Sequence, residues 1–182
     1  MTPHSTEWNM QVSYVITLIL CVAGVMARTS YELLKKDNKI NTRSVVSLSM
    51  MIAAMTAFLG SWAFMCPNDP LHAYVGWPTR WAGYGIAFAG VCLAVGGLAR
   101  LKKVENVDHL VTTGLFARMR HPMYTGFIAW ISGWVIAFGS VVSAVVAVFC
   151  IGTILYWRHL EEKALDARYG EMYRRYRAQT LF

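Results

Sequence analysis

The stretch PMYTGFIAWISGWVIAFGSVVSAVVAVFCIGTILYW, residues Pro122–Trp157, contains no Asp, Glu, Lys or Arg. As one helix its 36 residues would reach about 54 Å, far beyond a hydrocarbon core of about 30 Å. The flanks decide how the block is folded. Before it stand Arg100, Lys102, Lys103, Arg118 and Arg120 against Glu105 and Asp108. After it come Arg158, Lys163, Arg168, Arg174, Arg175 and Arg177 against four acids. Both flanks are basic, and short basic segments stay on the cytoplasmic side. The block must then enter and leave on one side, which predicts a helical hairpin near 122–138 and 140–157 that turns at Gly139-Ser140.

Working outward, three more blocks lack Asp, Glu, Lys and Arg: Trp8–Ala27, Ser44–Asn68 and Trp81–Ala99. Each is long enough to cross a bilayer, which needs roughly 20 apolar residues. The expectation is a single all-α membrane domain over 1–182, a polytopic bundle with spans near 8–27, 45–65, 81–99, 122–138 and 140–157. A cytoplasmic tail, 158–182, follows, with a helix whose stripe is Leu165, Tyr169, Met172, Tyr173 and Tyr176; Gly170 weakens its middle. The basic segment Arg28–Arg43 reads as a cytoplasmic loop, so the N-terminus lies outside and the C-terminus inside. The first 27 residues hold no Lys or Arg, the reverse of a secretory signal. A bacterial or archaeal cytoplasmic membrane, or an ER-type membrane, is the expected location.

The chain is 56% hydrophobic and 15% charged, so its formal +7 describes loops beside an anionic leaflet. Nucleic acid is not an expected partner; membrane lipids are, with the protein a monomer or weak homo-oligomer. Cys21, Cys66, Cys92 and Cys150 show no ligand spacing, and no metal site is expected. Span three carries Gly83, Gly85, Gly90, Gly96 and Gly97, which serve close helix packing or, at Gly96 and Gly97, the approach of a cofactor.

The segment GLFARMRHPMYTG, Gly114–Gly126, is where chemistry concentrates. Pro122 suits the first position of a helix, having no N–H to lose. Arg120 and His121 then stand at a helix mouth, a place that favours anions. His121, Tyr124 and Thr125 share a face. A plain interfacial helix start with basic anchors is the alternative. The predicted hairpin brings this mouth beside Arg158, His159, Glu161 and Glu162. Arg120, His121 and Arg158 facing Glu161 and Glu162 suit a zwitterionic small molecule: carboxylate to Arg and helix mouth, ammonium or ribose hydroxyls to a glutamate. A solvated helix start is the alternative for the two acids.

The run Asp108-His109-Leu110-Val111-Thr112-Thr113-Gly114, then Arg120-His121-Pro122-Met123-Tyr124-Thr125-Gly126, Glu161-Glu162 and Tyr169-Gly170-Glu171-Met172-Tyr173 resembles the integral-membrane methyltransferases. These are the isoprenylcysteine carboxyl methyltransferase and phospholipid N-methyltransferase group. The resemblance implies S-adenosylmethionine as cofactor and a lipophilic or lipid-linked acceptor entering from the bilayer. By position it implies cofactor contacts at Asp108, His109, Leu110, Val111, Gly114, Phe116, His121, Pro122, Met123, Tyr124, Glu161 and Glu162. Arg158, Arg120 and Tyr124 are the candidate catalytic residues, Arg158 as the group that orients the acceptor. The sequence departs from the family pattern at Phe116, where Tyr is usual, and at Asp108, where His is common. Trp157 also stands where carboxyl-methylating members tend to have an arginine. The acceptor stays open between an isoprenylcysteine-type carboxylate and a phospholipid amine. Sterol and steroid reductases, which use NADPH, carry a similar Arg-His-Pro-x-Tyr element and form a second expectation; a non-catalytic membrane bundle is the third.

Overall fold

The computed structural model describes residues 3–37, 39–40, 44–104 and 110–182, with side chains from 10 onward except those of 101–104. Its elements are α1 (Pro3–Lys36), α2 (Val45–Met65), α3 (Trp77–Val104), a 3-10 turn (Gly114–Ala117), α4 (Pro122–Phe138), α5 (Val141–Tyr169) and α6 (Glu171–Gln179). The described residues form no strand. By length and composition alone, four helices can cross a membrane: Met10–Lys36, Val45–Met65, Trp77–Arg100 and Val141–Tyr169. α4 is apolar but shorter, at 17 residues.

Helix α1 departs from expectation. The charges from Arg28 onward read as a loop, yet the helix continues to Lys36. Arg28 and Glu32 explain this: they form an i,i+4 ion pair, and both are buried. The Arg28 guanidinium also lies 5.2 Å from the Trp157 ring on α5 and 5.5 Å from Tyr31. Trp157 Nε1 donates to Thr29 Oγ1 at 3.0 Å. An opposite-charge pair one turn apart and cation–π contacts carry the helix past the end of its apolar run.

Helices α3 and α4 pack backbone to backbone along a seam of small residues. A Cβ on Gly83 would come within 2.7 Å of the Gly133 carbonyl oxygen, and one on Gly90 within 2.6 Å of the Gly126 carbonyl oxygen. Such contact is the usual source of helix association in lipid, where apolar burial adds little. Gly97 meets Pro122 and Met123, and Gly96 meets Leu115. Those two glycines therefore seat α3 against the segments that lead into α4.

Between α4 and α5 the chain breaks at Gly139, which takes a left-handed φ of 63°. The segment after α2 is stitched onto this turn. Ala73 N donates to Gly139 O at 2.8 Å, Val141 N to Leu71 O at 2.9 Å and Ser140 Oγ to Cys66 O at 2.8 Å. Buried Asp69 accepts from Ser143 N at 2.7 Å and Ser143 Oγ at 2.6 Å. It thus caps α5 from another element, since Ser140 makes no side-chain cap bond itself. Asp69→Ala strands these donors and should cost about 1–3 kcal/mol. A lowered thermal midpoint in detergent, with Asp69→Asn recovering part of the loss, is the expected result.

The tail is not one helix. α5 runs on to Tyr169, Gly170 takes a φ of 51°, and α6 restarts at Glu171. Of the expected stripe, Tyr173 is buried and Met172 exposed. Tyr176 Oη donates to the Phe116 carbonyl at 2.6 Å, so α6 packs on the 3-10 turn.

Candidate active site at the mouth of helix α4

Pro122 opens α4, as its missing N–H and fixed φ favour. The residue before it, His121, has φ −125° and ψ 59°, outside the helical region that a following proline disfavours. Across the break at Gly139, His121 meets α5 some 40 residues later. His121 Nε2 lies 3.3 Å from Glu162 Oε1, and Arg120 Nε lies 3.4 Å from the same oxygen. Arg158 Nε, one turn before Glu162 on α5, is 3.7 Å from it. One carboxylate oxygen thus gathers three nitrogens from two segments. Glu161 stands beside it, 3.9 Å from His121 Nδ1, with its side chain 36% exposed.

The remaining atoms of the mouth are taken by a segment the sequence did not point to. Arg120 N donates to Leu181 O at 3.0 Å, His121 N to Phe182 O at 3.1 Å and Leu181 N to Arg118 O at 2.9 Å. Arg120 Nη1 donates to the carbonyls of Thr180 and Arg177, at 2.6 and 2.9 Å. The Phe182 ring lies under the Arg158 guanidinium at 4.3 Å and edge-on to His121 at 6.5 Å. Only the aromatic residue after α6 hints at this in the sequence; the pairing itself rests on backbone atoms common to any residue.

Burial sets the electrostatics. His121 is 4% exposed, and desolvation lowers its pKa against the pull of Glu161 and Glu162; Arg158 adds to the lowering. The ring is therefore neutral at pH 7. A carboxylate can only accept, so Nε2 carries the proton toward Glu162 and Nδ1 is left as an acceptor. Burial alone would raise the Glu162 carboxyl, but Arg158, His121 and Arg120 together hold it below the usual range. Tyr173, 1% exposed, is pushed up to about 12 by desolvation and by Glu162. Its hydroxyl has no hydrogen-bond partner among the described residues.

Both His121 and Glu162 hold their protons less tightly when folded, so the unfolded chain binds more protons as pH falls and stability rises with pH. The His121 contribution is complete above about pH 6.5 and disappears as the pH drops through the lower folded value. That of Glu162 follows at more acid pH. Thermal midpoints measured from pH 7.5 to 5 should decline, and His121→Gln should flatten the upper part of that decline.

Of the residues singled out from sequence, Arg120, His121, Tyr124, Arg158, Glu161 and Glu162 lie together. Tyr124 is buried, with its ring 5.6 Å from His121. Pro122 and Met123 back onto Gly97, and Phe116 is buried under Tyr176. Leu110 and Val111 are half-buried and lead into the 3-10 turn. Gly114 takes a φ of 68°, with the Arg100 guanidinium against it. Asp108 and His109 lie outside the described residues.

Residues 78–172, from the start of α3 into α6, match the phospholipid methyltransferase family, and the chain belongs to it. A Schizosaccharomyces pombe protein described as protein-S-isoprenylcysteine O-methyltransferase is 36% identical over 83 residues. That similarity covers 42% of this chain and 33% of the relative, so the match spans about a third of the relative's length. No solved structure matches the chain. With its apolar helices, the family makes this a helical membrane protein.

Among the described residues the α4 mouth offers a partly exposed acid, a partly exposed guanidinium, a ring nitrogen acceptor and a buried hydroxyl without a hydrogen-bond partner, groups of the kinds that S-adenosylmethionine's ammonium, carboxylate and hydroxyls would need.

Proposed function

We propose that this protein is an S-adenosylmethionine-dependent methyltransferase acting on a lipophilic acceptor at the cytoplasmic membrane interface. The acceptor is an isoprenylcysteine-type carboxylate or a phospholipid amine. In this reading the chain crosses the membrane five times, with α4 and α5 as a hairpin. At 17 residues α4 rises about 25 Å, within the short end of spanning helices. The observation that carries the reading is the convergence of Arg120, His121 and Arg158 on one Glu162 oxygen, beside the more accessible Glu161.

Bound there, S-adenosylmethionine supplies a sulfonium-activated methyl group. The protein's part is to orient and to exclude water, because a direct displacement needs alignment more than a covalent partner. Glu161 is the acid placed to take an ammonium or ribose hydroxyls. Glu162 is already committed to three nitrogens, so its role is to hold Arg120, His121 and Arg158 in register. Arg158, 25% exposed at its side chain, offers guanidinium N–H groups to a carboxylate. His121 Nδ1 accepts from a donor, and the Tyr173 hydroxyl supplies a further polar contact. Buried Tyr124 and Pro122 form the dry side of the site.

Titration calorimetry on the purified protein in lipid nanodiscs tests the reading. Binding of S-adenosylmethionine and S-adenosylhomocysteine, without NADPH binding, is expected. Binding of NADPH alone would favour the reductase expectation, and silence toward all three would leave a non-catalytic bundle.

A further inference from the structure

Arg158 reaches the α4 mouth from α5, one turn before Glu162. A guanidinium recognises a carboxylate well only when its planar fork is held in one orientation, and a long flexible stem works against that. The ion pair with Glu162 fixes it weakly. Arg158 Nε stands 3.7 Å from Glu162 Oε1, beyond hydrogen-bond distance, and that oxygen lies nearer to Arg120 and His121. A second contact is closer in kind to a clamp: the Phe182 ring centroid is 4.3 Å from the guanidinium carbon, well inside the roughly 6 Å reach of a cation–π contact.

Phe182 is in turn held by backbone. Its carbonyl accepts from His121 N at 3.1 Å, and Leu181 bonds to Arg118 and Arg120 at 2.9 and 3.0 Å. Along this strap the side chains divide. Leu181 is 74% exposed, whereas Phe182 is half-buried and packs against the core cluster that includes Tyr124 and Trp157. Phe182 is also the one non-glycine with a positive φ among the described residues, at 28°. A bulky residue keeps such an angle only where its surroundings over-determine it. The backbone thus accepts a local cost to place this ring at Arg158.

We infer that Phe182 is a positioning residue of the cofactor site: its ring holds the Arg158 guanidinium toward the carboxylate of the cofactor's amino-acid end, leaving Glu161 for the ammonium. The inference rests on the methyltransferase reading for the ligand, though not for the contact between ring and guanidinium. Arg158 and Glu161 stand three residues apart on α5 and so are neighbours on the helix surface. Both side chains are partly exposed, at 25% and 36%. A cation beside an acid at that spacing suits the zwitterion of an α-amino acid. Phe182 lies beyond the matched residues 78–172, so the family match does not reach the ring that orders this arginine.

Two measurements on the protein in lipid nanodiscs test this. The first needs no ligand. The Nε–Hε NMR signal of Arg158, assigned with Arg158→Lys in arginine-labelled protein, should be shifted upfield by the ring current of Phe182. Phe182→Leu should return it to the position of an unstacked arginine, and Phe182→Tyr should keep it shifted. The second is calorimetry with S-adenosylhomocysteine and with 5′-methylthioadenosine, which lacks the amino-acid end. Phe182→Leu should weaken S-adenosylhomocysteine about fivefold and leave methylthioadenosine within about twofold. Phe182→Tyr should restore the loss, and in an Arg158→Ala background Phe182→Leu should weaken neither ligand further. An unshifted Arg158 signal in the parent, equal losses for both ligands, or tighter binding once the ring is gone would each overturn the inference. Failure of the methyltransferase reading looks different: neither ligand binds the parent while the Arg158 signal still responds to Phe182. The contact would then stand and its assignment to a cofactor would fall.

Discussion

Glu162→Ala is expected to weaken S-adenosylmethionine binding by at least about 100-fold, or roughly 2.7 kcal/mol, and to destabilise the protein as well. The oxygen it removes is shared by Arg120, His121 and Arg158. With Glu162 only 8% exposed and Arg120's side chain 10% exposed, the cations left behind cannot be fully rehydrated. Breaking a buried ion pair from one side costs about 3–5 kcal/mol, and the partial exposure of Arg158 puts this case at the lower end. Glu162→Gln keeps the shape and one acceptor but not the charge, so it should lose less stability than Glu162→Ala and still lose affinity. Equal affinity in the glutamine variant and the parent would show that the register of Arg120, His121 and Arg158 does not depend on the Glu162 charge.

Gly126→Ala should be among the most damaging single methyls in the bundle. A Cβ there would sit 2.5 Å from the Gly90 carbonyl oxygen and 2.8 Å from Ala94 N. Both obstacles are backbone of α3, so the helices must separate along their seam rather than shift one side chain. Overpacking of this kind costs about 3 kcal/mol at the upper end of ordinary cases. Gly85→Ala provides the contrast on the same pair of helices. Nothing lies within 4 Å of its added Cβ, and exchanging glycine for alanine in a helix gains up to about 1 kcal/mol. Thermal midpoints of the two variants in one detergent should move in opposite directions. Because Gly126 lies one turn beyond Pro122, its substitution should also disturb the α4 mouth.

Much of this architecture is legible in the sequence because lipid imposes strong local rules. Charge-free blocks mark the helices, and Gly139-Ser140 marks the break between α4 and α5, where a residue free to adopt positive φ is needed. The proximity of Arg120 and His121 to Glu161 and Glu162 follows from parity of the basic flanks. Other features are hidden for physical reasons. Arg28 and Glu32 look like loop charges because composition cannot reveal that Trp157, 128 residues beyond Thr29, supplies a ring and a donor. Asp69 reads as one acid in a short loop, yet caps a helix 74 residues later. The carbonyls of Leu181 and Phe182 at the α4 mouth carry no side-chain signature at all.

The central claim is that the start of α4 and the far end of α5 belong to one side of one membrane. Single cysteines at 118, 163 and 74, three exposed positions, in a background lacking the native thiols, test it with an impermeant maleimide on sealed vesicles of known orientation. The account predicts that Arg118→Cys and Lys163→Cys react from the cytoplasmic side and Tyr74→Cys from the other. Reaction of positions 118 and 163 from opposite sides would contradict it, because the Glu162 cluster would then have no single interface at which to form.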